Sequence, residues 1–227
     1  MLSRMDGLQF FDRRQDFTVA WKRLPHWAQS GTVTFITWRT VDSLPAAALE
    51  RIARERDEML RRFGIEPDGE RHERSFGETP LRRQVSPKLA AQLAKLSPGD
   101  KARLNWDLFC VWDCQLDQGA GECVLTRPEL SEIVEKSLRH FDGDRYVLTD
   151  AVVMPNHVHV FVACVDEDTS RQIQQALGRQ GEFWQTEQFD HLVRSLEHFE
   201  YFRRYLAENP QKAGLKEGGY RYYSKDL

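Results

Sequence analysis

The segment that most constrains this chain is residues 146–164, where two apolar, β-branched strings, YVLTDAVVM and HVHVFVAC, flank Pro155-Asn156. Val, Thr and aromatic side chains suit the pleated surface of a strand. A Pro-Asn step between two such runs is a turn signal. The pattern predicts a β-hairpin. Successive strand side chains point to opposite faces, so His157 and His159 share one face while Val158 packs on the other. From spacing alone two readings stay open. The pair chelates one divalent cation, or it is simply two polar residues on an exposed sheet face.

Around the hairpin the periodicity alternates between strand and helix. Residues 31–40 (GTVTFITWRT) read as a strand, and residues 44–63 carry Leu49, Ile52, Met59 and Leu60 at helical spacing. Residues 64–85 are polar and punctuated by Gly and Pro, as in a loop. Ser86-Pro87 opens a helix running to residue 96. Residues 100–116 are ambiguous and favour helix, 123–126 read as a short strand, and 128–140 as a helix with Leu130, Ile133, Val134 and Leu138 inward. A short helix is expected over 169–177. A longer one is expected over 196–209, ending before Pro210 because the residue preceding proline disfavours helical geometry. A hairpin combined with several helices defines an α+β class.

Length and composition narrow the partners. The chain has 227 residues, enough to bury a core without staples. No apolar run approaches the length of a bilayer span, and residues 1–14 lack the apolar stretch of a signal peptide. Four cysteines without an export signal point to reduced thiols in a cytoplasm, most simply buried and structural. The formal net charge of −3 argues mildly against a nucleic-acid partner. A local basic face is sufficient, however, and basic residues gather at 71–103 and 194–225.

The string Val153-Met154-Pro155-Asn156-His157-Val158-His159-Val160 closely resembles the strand motif of REP-associated tyrosine transposases, a branch of the single-tyrosine HUH transposases. Tyr205-Leu206-Ala207-Glu208-Asn209-Pro210, followed by Ala213-Gly214-Leu215, looks like that family's catalytic helix. Further similarity runs through Pro25-His26-Trp27, Phe35-Ile36-Thr37-Trp38-Arg39, the stretches 117–129 and 141–146, Phe183-Trp184-Gln185 and Phe189-Asp190-His191. One departure stands out. The stretch between Phe161 and Phe183 is shorter than the family's, which bears on the DNA-binding surface and not on the metal site.

The resemblance implies a ferredoxin-like antiparallel sheet with packed helices in a single domain over 1–227, an enlarged helical connection over about 44–140 and a flexible tail at 218–227. It implies that His157 and His159 hold a catalytic Mg²⁺ or Mn²⁺, that Asn209 is the third protein ligand, and that Tyr205 is the nucleophile. Tyr205 and Asn209, four apart, lie on one helical face. Tyr201 is the competing nucleophile, but its i+4 residue is Tyr205 rather than an amide. The implied activity is cleavage and transfer of single-stranded DNA through a 5′-phosphotyrosine, on hairpins of REP type. Arg203, Arg204, Asn156 and Trp184 are the expected DNA contacts. The setting expected is the bacterial cytoplasm, at the nucleoid when bound to DNA. A monomer is favoured over a dimer, and no membrane is involved. The rival readings are a hairpin-binding regulatory module without transposition, and a metal hydrolase independent of Tyr205. His191 and His198 are given no catalytic role.

Overall fold

The computed structural model describes residues 8–12, 14–16, 18–21, 25–67, 86–164, 183–184 and 189–226. In chain order the elements are β1 (Thr18–Trp21), β2 (Pro25–Ala28), β3 (Val33–Arg39), α1 (Ala46–Arg62), α2 (Pro87–Ala94), α3 (Pro98–Leu116), α4 (Pro128–His140), β4 (Tyr146–Val153), β5 (His157–Cys164), β6 (Phe189–Leu192), α5 (Leu196–Lys212) and β7 (Arg221–Ser224). The chain forms two compact units, residues 44–120 and residues 1–43 with 121–227. The architecture is α+β.

The unit of residues 44–120 is helical. The ambiguous run at 100–116 lies within α3, a 19-residue helix whose N-cap, Ser97, accepts from the Asp100 amide. α1 and α3 close on Leu44, Ala48, Ile52, Val111 and Leu116, and a second cluster joins Leu60, Ile65 and Leu104 to Leu89 and Leu93 of α2. Cys114 is exposed rather than buried.

The other unit is built on a five-stranded antiparallel sheet in the order β6-β3-β5-β4-β7, beside a ribbon of β1 and β2. The predicted hairpin is β4–β5, closed between Val153 and Val158 with the Met154 amide donating to His157 O at 2.9 Å. One sheet face (Ile36, Trp38, Leu148, Val153, Val158, Val160, Val162) packs with Leu125 and Leu138. The opposite face presents Phe35 and Phe161 to α5. The Phe35 ring lies 4.9 Å from Phe202, and Phe161 lies 5.3 Å from Phe199. All four rings are fully buried. Burying each is worth about 1.5–3 kcal/mol, so this cluster contributes strongly to holding α5 against the sheet.

Several elements differ from the sequence reading. Residues 123–126 form a left-handed residue, Cys123 (φ 48°), and a single 3-10 turn, Val124–Thr126, not a strand. Ile133 is 60% exposed, and α4 packs inward through buried Leu138 and partly buried Leu130 and Val134. α5 passes through Pro210 to Lys212. A proline there removes only one hydrogen bond near a helix end, while burial of Pro210 and the Leu215 amide bond to Pro210 O complete the turn. The tail at 218–227, expected to be flexible, contributes β7, whose residues pair with β4 from Asp150 to Val153. The helix expected over 169–177 lies outside the described residues.

Candidate active site

β5 starts immediately after the turn at Pro155-Asn156, and this turn is pinned from β3. The Thr40 amide and hydroxyl both donate to Asn156 O, at 2.8 and 3.1 Å. The register between β3 and β5 sets Thr37 opposite His159 and Arg39 opposite His157. Both histidines are fully buried, which rules out the reading of two polar residues on an exposed face. Their ring centroids are 4.6 Å apart at 75°.

Hydrogen bonds orient both rings. His157 Nδ1 lies 2.8 Å from Asn156 Oδ1. An amide oxygen only accepts, so Nδ1 carries the hydrogen and the lone pair of the neutral ring sits on Nε2. His159 Nδ1 lies 2.7 Å from Thr37 Oγ1. Burial, reinforced by the charge of His159, pushes the His157 pKa well below the usual imidazole value. A buried, neutral imidazole with a fixed tautomer is the form that binds a metal.

α5 brings the second half of the site. Ser195 caps it, accepting from the His198 amide at 3.2 Å. Phe199, Phe202, Leu206 and Asn209 recur at intervals of three and four, form the buried stripe, and turn that face to the sheet. Tyr205 is half-buried beside this stripe, its ring centroid 6.2 Å from that of His159. Asn209 is fully buried, and its Nδ2 donates to the Tyr205 hydroxyl at 3.4 Å. Tyr201, the sequence competitor, is 47% exposed.

The expected DNA contacts scatter. Asn156 is fully buried and its side chain holds His157. Arg203 is engaged inside the protein, with Nε 2.9 Å from Asp150 Oδ2 and Nη2 on Ser224 and the Lys225 carbonyl. Arg204 is exposed. Trp184 is half-buried, packs against the apolar layer beneath the sheet and bridges to Thr40. Thr37, though within a resembling string, and Asp150 had no role readable from sequence, because each is defined by a partner distant in the chain.

No protein-family model matches the chain, and no curated protein matches it. A solved structure of a REP-associated tyrosine transposase bound to a REP hairpin is similar at 14% identity with a TM-score of 0.39, over 83% of this chain and 72% of that one. The functional reading therefore rests on the geometry of the site itself.

That geometry suits a divalent cation. Two buried imidazoles, His157 and His159, side by side on one face of β5, offer nitrogen ligands to such an ion. Among the described residues no helix is long and apolar enough to cross a membrane.

Proposed function

We propose that this protein is a metal-dependent single-stranded DNA endonuclease and strand transferase with Tyr205 as nucleophile. His157, His159 and Asn209 would hold Mg²⁺ or Mn²⁺, and the substrate is single-stranded DNA folded as a REP-type hairpin. Residues of about 44–140 would form an enlarged helical connection within one nuclease domain, and a monomer would be the working form. The observation that carries it is the meeting of Tyr205 and its Asn209 partner with the buried histidine pair, with ring centroids of Tyr205 and His159 6.2 Å apart.

A divalent cation bound there supplies charge neutralisation at the scissile phosphate. The protein's own groups do the rest. Asn156 and Thr37 orient the imidazoles. Asn209 positions the Tyr205 oxygen through its amide hydrogen. That oxygen loses its proton to solvent and forms a bond to phosphorus, while the bond to the 3′ oxygen breaks and the leaving oxygen is protonated as a 3′-hydroxyl. The phosphodiester is conserved as a 5′-phosphotyrosine, so a second 3′-hydroxyl can reverse the step without ATP. Arg204 and Lys212, exposed on the same helix, supply cations for the DNA backbone.

The test is a denaturing gel with labelled hairpin DNA and Mn²⁺, comparing wild type with Tyr205→Phe. The expected result is a covalent protein–DNA adduct present only with Tyr205. Hairpin binding on a native gel without any adduct points instead to a regulatory binding module. Metal-dependent cutting that survives Tyr205→Phe removes Tyr205 from the mechanism.

A further inference from the structure

One buried carboxylate takes no part in the chemistry above. Asp150 lies in the middle of β4 and is fully buried. In a regular strand it would share a face with Leu148. The β4–β5 ladder slips instead: Leu148 pairs with Val162, and Asp150 rather than Thr149 pairs with Phe161. Thr149 is thus the extra residue of a β-bulge, a device that re-aims side chains beside functional sites. The result is visible in the packing. Leu148, Ala151 and Val153 belong to the apolar layer on one face. Asp150 sits opposite Phe161, whose ring packs on Phe199 and Phe202 of α5. The bulge has moved the carboxylate out of the apolar layer and onto the face of the tyrosine helix.

Two segments converge on it there, α5 and the end of β7. Arg203 Nε of α5 lies 3.0 Å from Oδ1 and 2.9 Å from Oδ2. Ser224 Oγ of β7 donates to Oδ1 at 2.7 Å. Arg203 Nη2 donates to Ser224 Oγ at 2.6 Å and to the Lys225 carbonyl at 2.9 Å. The Lys225 amide in turn donates to the carbonyl of the bulged Thr149 at 2.8 Å.

Buried ion pairs are weak sources of net stability, because apolar replacements often fold as well. Their directional bonds do fix geometry. Apolar packing beneath α5 is non-directional, whereas the Arg203 Nε bond to Asp150 Oδ1, shared with Ser224 Oγ, is directional. Arg203 precedes Tyr205 by two residues, and a slip of one residue along a helix moves every atom by about 1.5 Å. Misplacement by 1 Å is enough to cost about 10²-fold in rate.

We propose that Asp150 is a positioning residue: by gripping Arg203, with Ser224 as a latch, it sets the axial and rotational register of α5 and so the place of the Tyr205 hydroxyl. This rests on the reading of Tyr205 as nucleophile, but it has a readout independent of that reading. The test uses the full chain carrying Asp150→Leu with Arg203→Met, which removes both charges together. Thermal melting, amide hydrogen exchange over residues 196–212, hairpin affinity and the single-turnover rate of adduct formation in Mn²⁺ are compared with wild type.

The expected result is melting close to wild type, exchange over α5 faster by about tenfold or more, and adduct formation slower by about 10²-fold with hairpin affinity unchanged. Should the double variant not fold, Ser224→Ala keeps the ion pair and is expected to shift exchange and rate in the same directions by smaller factors. A folded double variant, or in its place Ser224→Ala, with wild-type exchange and rate overturns the proposal. Wild-type protein that forms no adduct removes the nucleophile assignment instead, and the exchange comparison then decides the role of Asp150 alone.

Discussion

The carboxamide of Asn209 donates to the hydroxyl of Tyr205 across 3.4 Å, one helical turn away, and the two residues differ sharply in exposure. Asn209 is fully buried and Tyr205 is half-buried. The pair thus ties the hydroxyl of a half-buried ring to a fully buried carboxamide. Asn209→Ala is expected to lower the single-turnover rate of adduct formation by about 10²-fold or more, the scale for losing a group that positions a reacting atom. Mn²⁺ affinity, measured by titration calorimetry, should fall with it, whereas hairpin binding on a native gel should not.

The groups behind the histidines should matter nearly as much as the histidines. Asn156 Oδ1 and Thr37 Oγ1 hold the two Nδ1 atoms at 2.8 and 2.7 Å. Asn156→Ala and Thr37→Val are each expected to weaken Mn²⁺ binding by about 10–100-fold, the usual cost of losing an outer-shell partner. Calorimetric titration of the two variants checks this, and equal affinity in both would exclude an orienting role.

His191 provides a pH signature. Its ring lies 5.1 Å from His198 and 5.6 Å from Phe202, and burial, with His198 and Arg194 adding repulsion, pushes its pKa down to about 3. The unfolded chain takes up a proton here near pH 6.5, and the folded chain does not accept it until about pH 3. Stability is therefore present above pH 6.5 and lost as pH falls through that window, by at most about 1.4 kcal/mol per pH unit. Urea denaturation of wild type and His191→Gln at a series of pH values should show the shallower decline in the variant.

Two glycines with the same backbone sign should respond differently to alanine. Gly121 (φ 89°) lies so close to Asp42 that a Cβ would meet its carboxylate and carbonyl oxygens at 2.7 and 2.8 Å, and the adjacent Glu122 amide donates to that carboxylate at 2.7 Å. Gly143 (φ 86°) has nothing within 4 Å. Gly143→Ala should cost about 1–2 kcal/mol, the left-handed penalty alone. Gly121→Ala should cost about 3 kcal/mol or more, since strain and a clash act together. Chemical denaturation separates the two.

Much of the site was legible because local periodicity governs it. The strand period of two puts His157 and His159 on one face, and the helical spacing of four joins Tyr205 to Asn209. The hairpin followed from two β-rich runs around a turn signal. Element ends were less legible. Pro210 did not stop α5 because the helix was already closing and the proline ring was buried. The tail was not legible as a strand, because β7 exists only through its pairing with β4.

By itself, then, the sequence determined which side chains share a face, since strand and helix periods are properties of the backbone. It also determined the α+β class, through the order of those periods. Only the tertiary structure decided what each face meets. Thr37 reaches His159 across 122 residues of chain, and Asp150 reaches Arg203 across 53. The bulge at Thr149 reversed the parity of half a strand without a local signal. Contacts of this kind depend on strand register and on which helix covers which face. Both are settled by burial of the whole apolar surface together, not by any short stretch of sequence.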